Sequence, residues 1–110
     1  MDSLGAFEQL LLFSIVRLGE DAYGVTIRET LEERTGRAVS SGAIYTALAR
    51  LEERGLVSSR VGEPVEGRAG RPPKYYRVEA EGARALMSTY SSIQSLAVGL
   101  IPRLSRLAEG

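Results

Sequence analysis

The chain has no cysteine and no histidine. Their absence removes disulfides, thiolate nucleophiles, imidazole bases, the usual zinc sites and every Ser-His-Asp arrangement. Tryptophan is missing too, and lysine occurs once, as Lys74. Carboxylates, hydroxyls, Lys74 and arginine are all that remain for catalysis, and neither a P-loop pattern nor a GxGxxG fingerprint is present to hold phosphates. An enzyme is therefore not expected, and no cofactor or metal is called for; paired carboxylates in a deep pocket would be the feature to reverse that. No apolar run approaches the roughly 20 residues needed to cross a bilayer. The sequence does not open with a basic segment, an apolar stretch and a small-residue cleavage site, so the expectation is a cytoplasmic protein with no membrane partner.

What is present is one domain's worth of chain: 110 residues, 44 % hydrophobic and 25 % charged, enough for a single modest core. The net charge is zero, which taken alone argues against a nucleic-acid partner. Its distribution argues the other way. Residues 1–36 carry three arginines against seven carboxylates, net −4, whereas residues 37–78 carry eight cations against four carboxylates, net +4. A basic middle beside an acidic flank can build a local positive face without a high isoelectric point.

From Leu4 to Leu18 apolar residues cover nearly every direction around a helix, so this helix must be buried on most sides. A domain this small has difficulty covering it alone, which suggests a partner subunit. Gly19 ends it, and Asp21 is the expected N-cap of a second helix that carries Tyr23, Ile27 and Leu31 on one stripe and stops at Gly36. Ser40 and Ser41 are cap candidates for a third helix with Ile44, Ala47, Leu48 and Leu51 inward, ending at Gly55. Val57 to Val61 and Lys74 to Val78 read as the strands of a half-buried hairpin, with Val57 and Val61 on one face and a Gly-, Pro- and Arg-rich tip between the strands. A last helix from about Ala80 carries Leu86, Tyr90, Ile93, Ala97, Leu100, Leu104 and Leu107 in alternating steps of four and three. That is a heptad seam over three heptads, with a kink or stop expected near 98–102 from Gly99 and Pro102.

This order predicts a mostly α fold with one two-stranded β-hairpin: a winged helix-turn-helix, in which the third helix lies in the DNA major groove, followed by a C-terminal dimerisation helix. At about 100° per residue the outward face of the third helix holds Ser41, Gly42, Tyr45, Thr46, Ala49 and Arg50. Small residues permit close approach, hydroxyls bond phosphates and base edges, and arginine can contact guanine or phosphate bidentately. At the hairpin tip Arg68, Arg71 and Lys74 alternate with Gly67, Gly70, Pro72 and Pro73, a composition suited to backbone phosphates. The Gly67–Gly70 run also fits the GXXG loop of a KH domain, but that loop joins two helices and this one joins two strands.

Tyr23-Gly24, the run from Ser41 to Leu48, the run from Arg50 to Val57, Gly70 to Val78, and Glu81-Gly82, taken together and in order, resemble the PadR transcriptional regulators over about residues 4–87. The resemblance implies a dimeric winged-helix DNA-binding protein, in most members a repressor, whose last helix pairs with the first helix of the other subunit. It places Ser41, Gly42, Tyr45 and Thr46 on the recognition helix and Arg68 and Arg71 on the wing. The expectation is therefore a sequence-specific regulator acting as a homodimer on a palindromic operator. Residues 1–79 would bind DNA, through Arg50 and Lys74 besides the residues just named, and 80–110 would dimerise, the two parts forming one structural unit. Phe7, Leu11, Leu86, Tyr90, Ile93, Ala97 and Leu100 are the expected interface. A winged-helix protein-interaction module without DNA binding is the alternative. The chain departs from the family where Thr46 replaces a usual proline and Glu79 a usual threonine cap. Without tryptophan, the indole-lined effector pocket of drug-responsive members cannot exist in that form here. A small hydrophobic effector, as a further partner, would have to use Phe7, Leu11, Tyr90 or Ile93, with Gln94 as the polar handle.

Overall fold

The first helix, α1 (Ala6–Leu18), is the element the others are built around. The computed structural model describes residues 4–64, 70 and 72–110. After α1 come a single 3₁₀ turn (Gly19–Asp21), α2 (Gly24–Thr35), α3 (Ser41–Glu53), β1 (Val57–Val61), β2 (Lys74–Val78), α4 (Ala80–Ala97) and α5 (Ile101–Ala108). Leu11, Leu12 and Ile15 of α1 are buried against Ile27 and Leu31 of α2, Ile44, Leu48 and Leu51 of α3, and Leu56, Val57, Tyr76 and Leu86 beyond them. Each such side chain contributes about 1.5–3 kcal/mol on leaving water, which makes this cluster the main source of cohesion.

Local chemistry sets the element ends. Gly36 closes α2 in the left-handed conformation at φ +72°, with its N–H on the Glu32 carbonyl, and Gly55 follows α3 at φ +75°; glycine adopts such angles without steric cost. Ser40 caps α3, its Oγ accepting from the Ala43 N–H at 3.1 Å. Asp21 does not cap α2, contrary to expectation. It lies in the 3₁₀ turn, and the helix opens at Tyr23, whose N–H donates to Thr26 Oγ1 at 3.0 Å, so a hydroxyl inside the first turn reaches back instead. Glu79 precedes α4 without capping it; its carboxylate accepts from Ser58 Oγ and Arg77 Nε, both at 3.0 Å, and ties the hairpin together.

The hairpin is antiparallel, with Val57 opposite Val78, Ser59 opposite Tyr76 and Val61 opposite Lys74. Its inner end is fixed to the body: the Tyr76 N–H donates to the Ala22 carbonyl at 2.8 Å, and the Tyr23 and Tyr75 rings lie 5.2 Å apart. Its outer end runs past the helices, so Val57 is buried while Val61, on the same face, is exposed.

The seam of the last helix is not continuous. α4 ends at Ala97, Gly99 takes φ +76°, and α5 restarts with Pro102 in its first turn, where the missing N–H would have had no helical partner. The break falls in the expected segment. It leaves Leu104 and Leu107 on a separate short helix and not on the line of Leu86 to Ala97. The longest dimension is 50 Å and the radius of gyration 16.1 Å, against about 13 Å for a compact chain near this length. The excess comes from the exposed outer half of α4 and from α5, every residue of which is exposed.

Candidate nucleic-acid interface

With Ile44, Leu48 and Leu51 buried, α3 turns Ser41, Gly42, Tyr45, Thr46, Ala49 and Arg50 to solvent. At Gly42 the space a Cβ would occupy is open, so a ligand could approach the backbone there. Tyr45 does not stand free: its ring lies across Gly24, where a Cβ would fall 2.1 Å from the phenol oxygen. This contact supplies a physical reason for the Tyr23-Gly24 pair that opens α2, since any larger residue at 24 would displace the ring. No carboxylate pairs with Arg50 among the described residues.

Beside Ser41 sits a residue the sequence did not single out. Arg28 of α2 donates from Nη1 to Ser41 Oγ and from Nε to Glu32 Oε1, each at 3.1 Å. Glu32 also accepts from the Val39 N–H at 3.5 Å, and the Arg28 hydrogen bond, helped by that N–H, holds its carboxyl below the usual range. Gly24, Val25, Arg28, Glu29, Glu32, Ser41 and Tyr45 together line a cleft of about 210 Å³ between α2 and the N-terminal part of α3. In sequence Arg28 belongs to the charged outer stripe of the second helix. Only the crossing of α2 over α3 brings it to a residue thirteen positions away.

On the hairpin, Lys74 is exposed at the start of β2 without a carboxylate partner among the described residues, whereas Arg68 and Arg71 lie outside those residues. Three cations of the basic middle segment have carboxylate neighbours: Arg54 with Glu8 at 2.9 Å, Arg77 with Glu79 at 3.0 Å, and Arg60 with Glu20 at 3.6 Å, the last two pairs open to water. Arg60 also lies over the Tyr75 ring, 4.8 Å from its centroid.

The apolar residues expected at a subunit interface divide into two groups. Leu11 and Leu86 belong to the core of their own chain, with 0 % and 6 % exposure, so that expectation is corrected for both. The all-round apolar character of α1 gave no phase from which to choose its outward side, and Leu86 precedes the point where α4 leaves the body. Tyr90, Ile93 and Leu100 are exposed, and Phe7 and Ala97 half-buried. On α1 the outward apolar residues are Phe13 and Val16, which the sequence reading missed; Phe13 meets Tyr90 edge to face at 5.5 Å. Phe7 lines an apolar cavity of about 300 Å³ with Leu10, Leu31, Val39 and Ala43, with Arg37 also in its wall.

Among the described residues no helix is long and apolar enough to cross a membrane, and no group of three or more acidic, histidine or cysteine side chains could hold a metal ion. Residues 12–88, which span the core helices, α3, the hairpin and the start of α4, match the transcriptional regulator PadR-like family. The chain belongs to that family. It is similar to the PadR family transcriptional regulator of Eggerthella lenta DSM 2243, at 28 % identity over 87 % of this chain and 81 % of that one, TM-score 0.67. A second similar structure is the PadR family transcription regulator of Clostridium difficile R20291, at 25 % identity over 91 % and 99 % of the two chains, TM-score 0.69. A third is the hsRosR-S4 complex, at 28 % identity over 96 % and 84 %, TM-score 0.62. No curated protein matches. The PadR-like chain is thus a winged-helix transcription regulator and not an enzyme, as the sequence resemblance implied.

Proposed function

We propose that this regulator binds operator DNA in a sequence-specific manner as a homodimer, with α3 in the major groove, and that it represses transcription from the promoter it occupies. The observation that carries the reading is the solvent face of α3. Over the first ten residues of the helix Ser41, Gly42, Tyr45, Thr46, Ala49 and Arg50 are exposed with no carboxylate, the acidic residues Glu52 and Glu53 coming only at its C-terminal end, in a chain that is a quarter charged with half of those charges acidic. Thr46 and Arg50 would read base edges. Lys74, with Arg68 and Arg71 of the intervening segment, would bind phosphate or minor groove. Residues 1–79 form the DNA-binding part and 80–110 the dimerising part of one unit. Dimerisation is supported by the exposed apolar rows, Phe13 and Val16 on α1 and Tyr90, Ile93, Leu96 and Leu100 from α4 onward, which meet where Phe13 packs on Tyr90; exposed apolar surface gathered in this way marks an interaction site.

A two-fold dimer that presents two α3 helices about 34 Å apart, or a multiple of that, reads an inverted repeat. Selection of bound duplexes from a random-sequence library tests this. The expected outcome is an enriched palindrome with half-sites one or two helical turns apart, bound by two chains. No enrichment, together with retention of cellular proteins on the same face, would favour a protein-interaction module instead.

A further inference from the structure

We infer that Arg28 is a phosphate-contacting arm of this interface that Glu32 holds in reserve, so that docking exchanges an internal carboxylate for a DNA phosphate. The inference rests on the reading of α3 as the groove-binding helix. Arg28 lies on α2, and its Nη1 reaches Ser41 Oγ at the first residue of α3; in a helix-turn-helix it is the helix before the recognition helix that crosses the sugar-phosphate backbone. Its Nε is on Glu32, and both partners are exposed, 46 % and 38 % by side chain. A pair held in water is screened and exchanges readily for another anion. A guanidinium has five donors in a fixed fork, and the protein bonds engage Nε and Nη1, which leaves donors to meet a phosphate. The surrounding charge makes the residue necessary: Glu29 and Glu32 line the same cleft, and Arg28 is the one cation in that lining. Without Arg28 the cleft would repel the strand that the adjacent helix needs to approach.

The test is the salt dependence of binding to an operator duplex and a scrambled duplex, for wild type, Arg28→Gln, Arg28→Lys and Glu32→Gln, with thermal unfolding of each preparation. Loss of one phosphate contact per subunit should lower the slope of log Kobs against log salt by about two for a dimer in Arg28→Gln, weakening both duplexes by the same factor. Arg28→Lys should keep the slope, and Glu32→Gln should tighten both duplexes severalfold. An Arg28→Gln protein with the wild-type slope overturns the inference, and so does one whose only change is a lower melting temperature. A wild type that binds neither duplex overturns the groove-helix reading itself; a binding wild type beside an unchanged Arg28→Gln slope overturns the role of Arg28 alone.

Discussion

Gly24 and Gly82 both stand where a side chain would collide, but with different neighbours. At Gly24 the obstacle is the Tyr45 phenol, the end of an exposed side chain that can swing away; at Gly82 it is the Leu56 carbonyl oxygen, 2.2 Å from the position of a Cβ, with Val78 at 3.0 Å. Gly24→Ala should therefore leave stability within about 1 kcal/mol of wild type while weakening DNA binding, because Tyr45 is driven off its seat. Gly82→Ala must lift α4 from the turn before β1 and should cost about 1–3 kcal/mol, read as a lower denaturant midpoint. Tyr76 gives a pH dependence. Burial, reinforced by the charge of Glu52 and by Tyr45, raises its pKa above the ordinary 10.0. The folded state thus favours the protonated phenol. Its contribution is complete below pH 10 and is lost as pH rises through the folded-state value. Unfolding free energies measured from pH 8 to 12 should fall more steeply at the alkaline end for wild type than for Tyr76→Phe.

At the scale of elements, the sequence was most legible where one residue type has one physical use. Ser40 before α3, Gly36 and Gly55 after α2 and α3, and the β-branched and aromatic runs at 57–61 and 74–78 mark boundaries that the fold keeps. The outward face of α3 was legible for the same reason, since a clean stripe of Ile44, Leu48 and Leu51 fixes the phase of the helix. Legibility failed where the deciding contact is distant or the pattern has no phase. Thr26 reaching back to Tyr23, Arg28 meeting Ser41 and the uniform apolar circumference of α1 are all of this kind. The seam from Leu86 to Leu107 keeps heptad spacing through the break, so periodicity by itself would overstate the helix; Gly99 and Pro102 are the residues that marked the interruption near 98–102, where the backbone has it. The cap offers a direct check: Ser40→Ala should lower stability by about 0.5–2 kcal/mol in urea unfolding, with Ser40→Gly nearer wild type.

The whole molecule is an elongated body with an apolar arm. Ile93, 49 % exposed on α4, separates a dimer from a monomer without confusing dissociation with unfolding. A charge placed there is solvated in a single chain but unpaired in an interface. Ile93→Asp should halve the mass seen by light scattering, from twice 11.9 kDa to one chain, while helix content is retained. A wild type that already scatters as one chain would remove the dimer from the account. The central claim, that the exposed face of α3 reads base sequence while the hairpin holds backbone, is tested most directly by one ratio. This is the affinity for DNA from the chain's own upstream region divided by the affinity for a scrambled duplex at the same salt. The prediction is a ratio well above one for wild type that collapses toward one in Thr46→Ala and Arg50→Ala, whereas Lys74→Ala weakens both duplexes equally and preserves it. A wild-type ratio of one, or a ratio that survives the loss of Thr46 and Arg50, would contradict it.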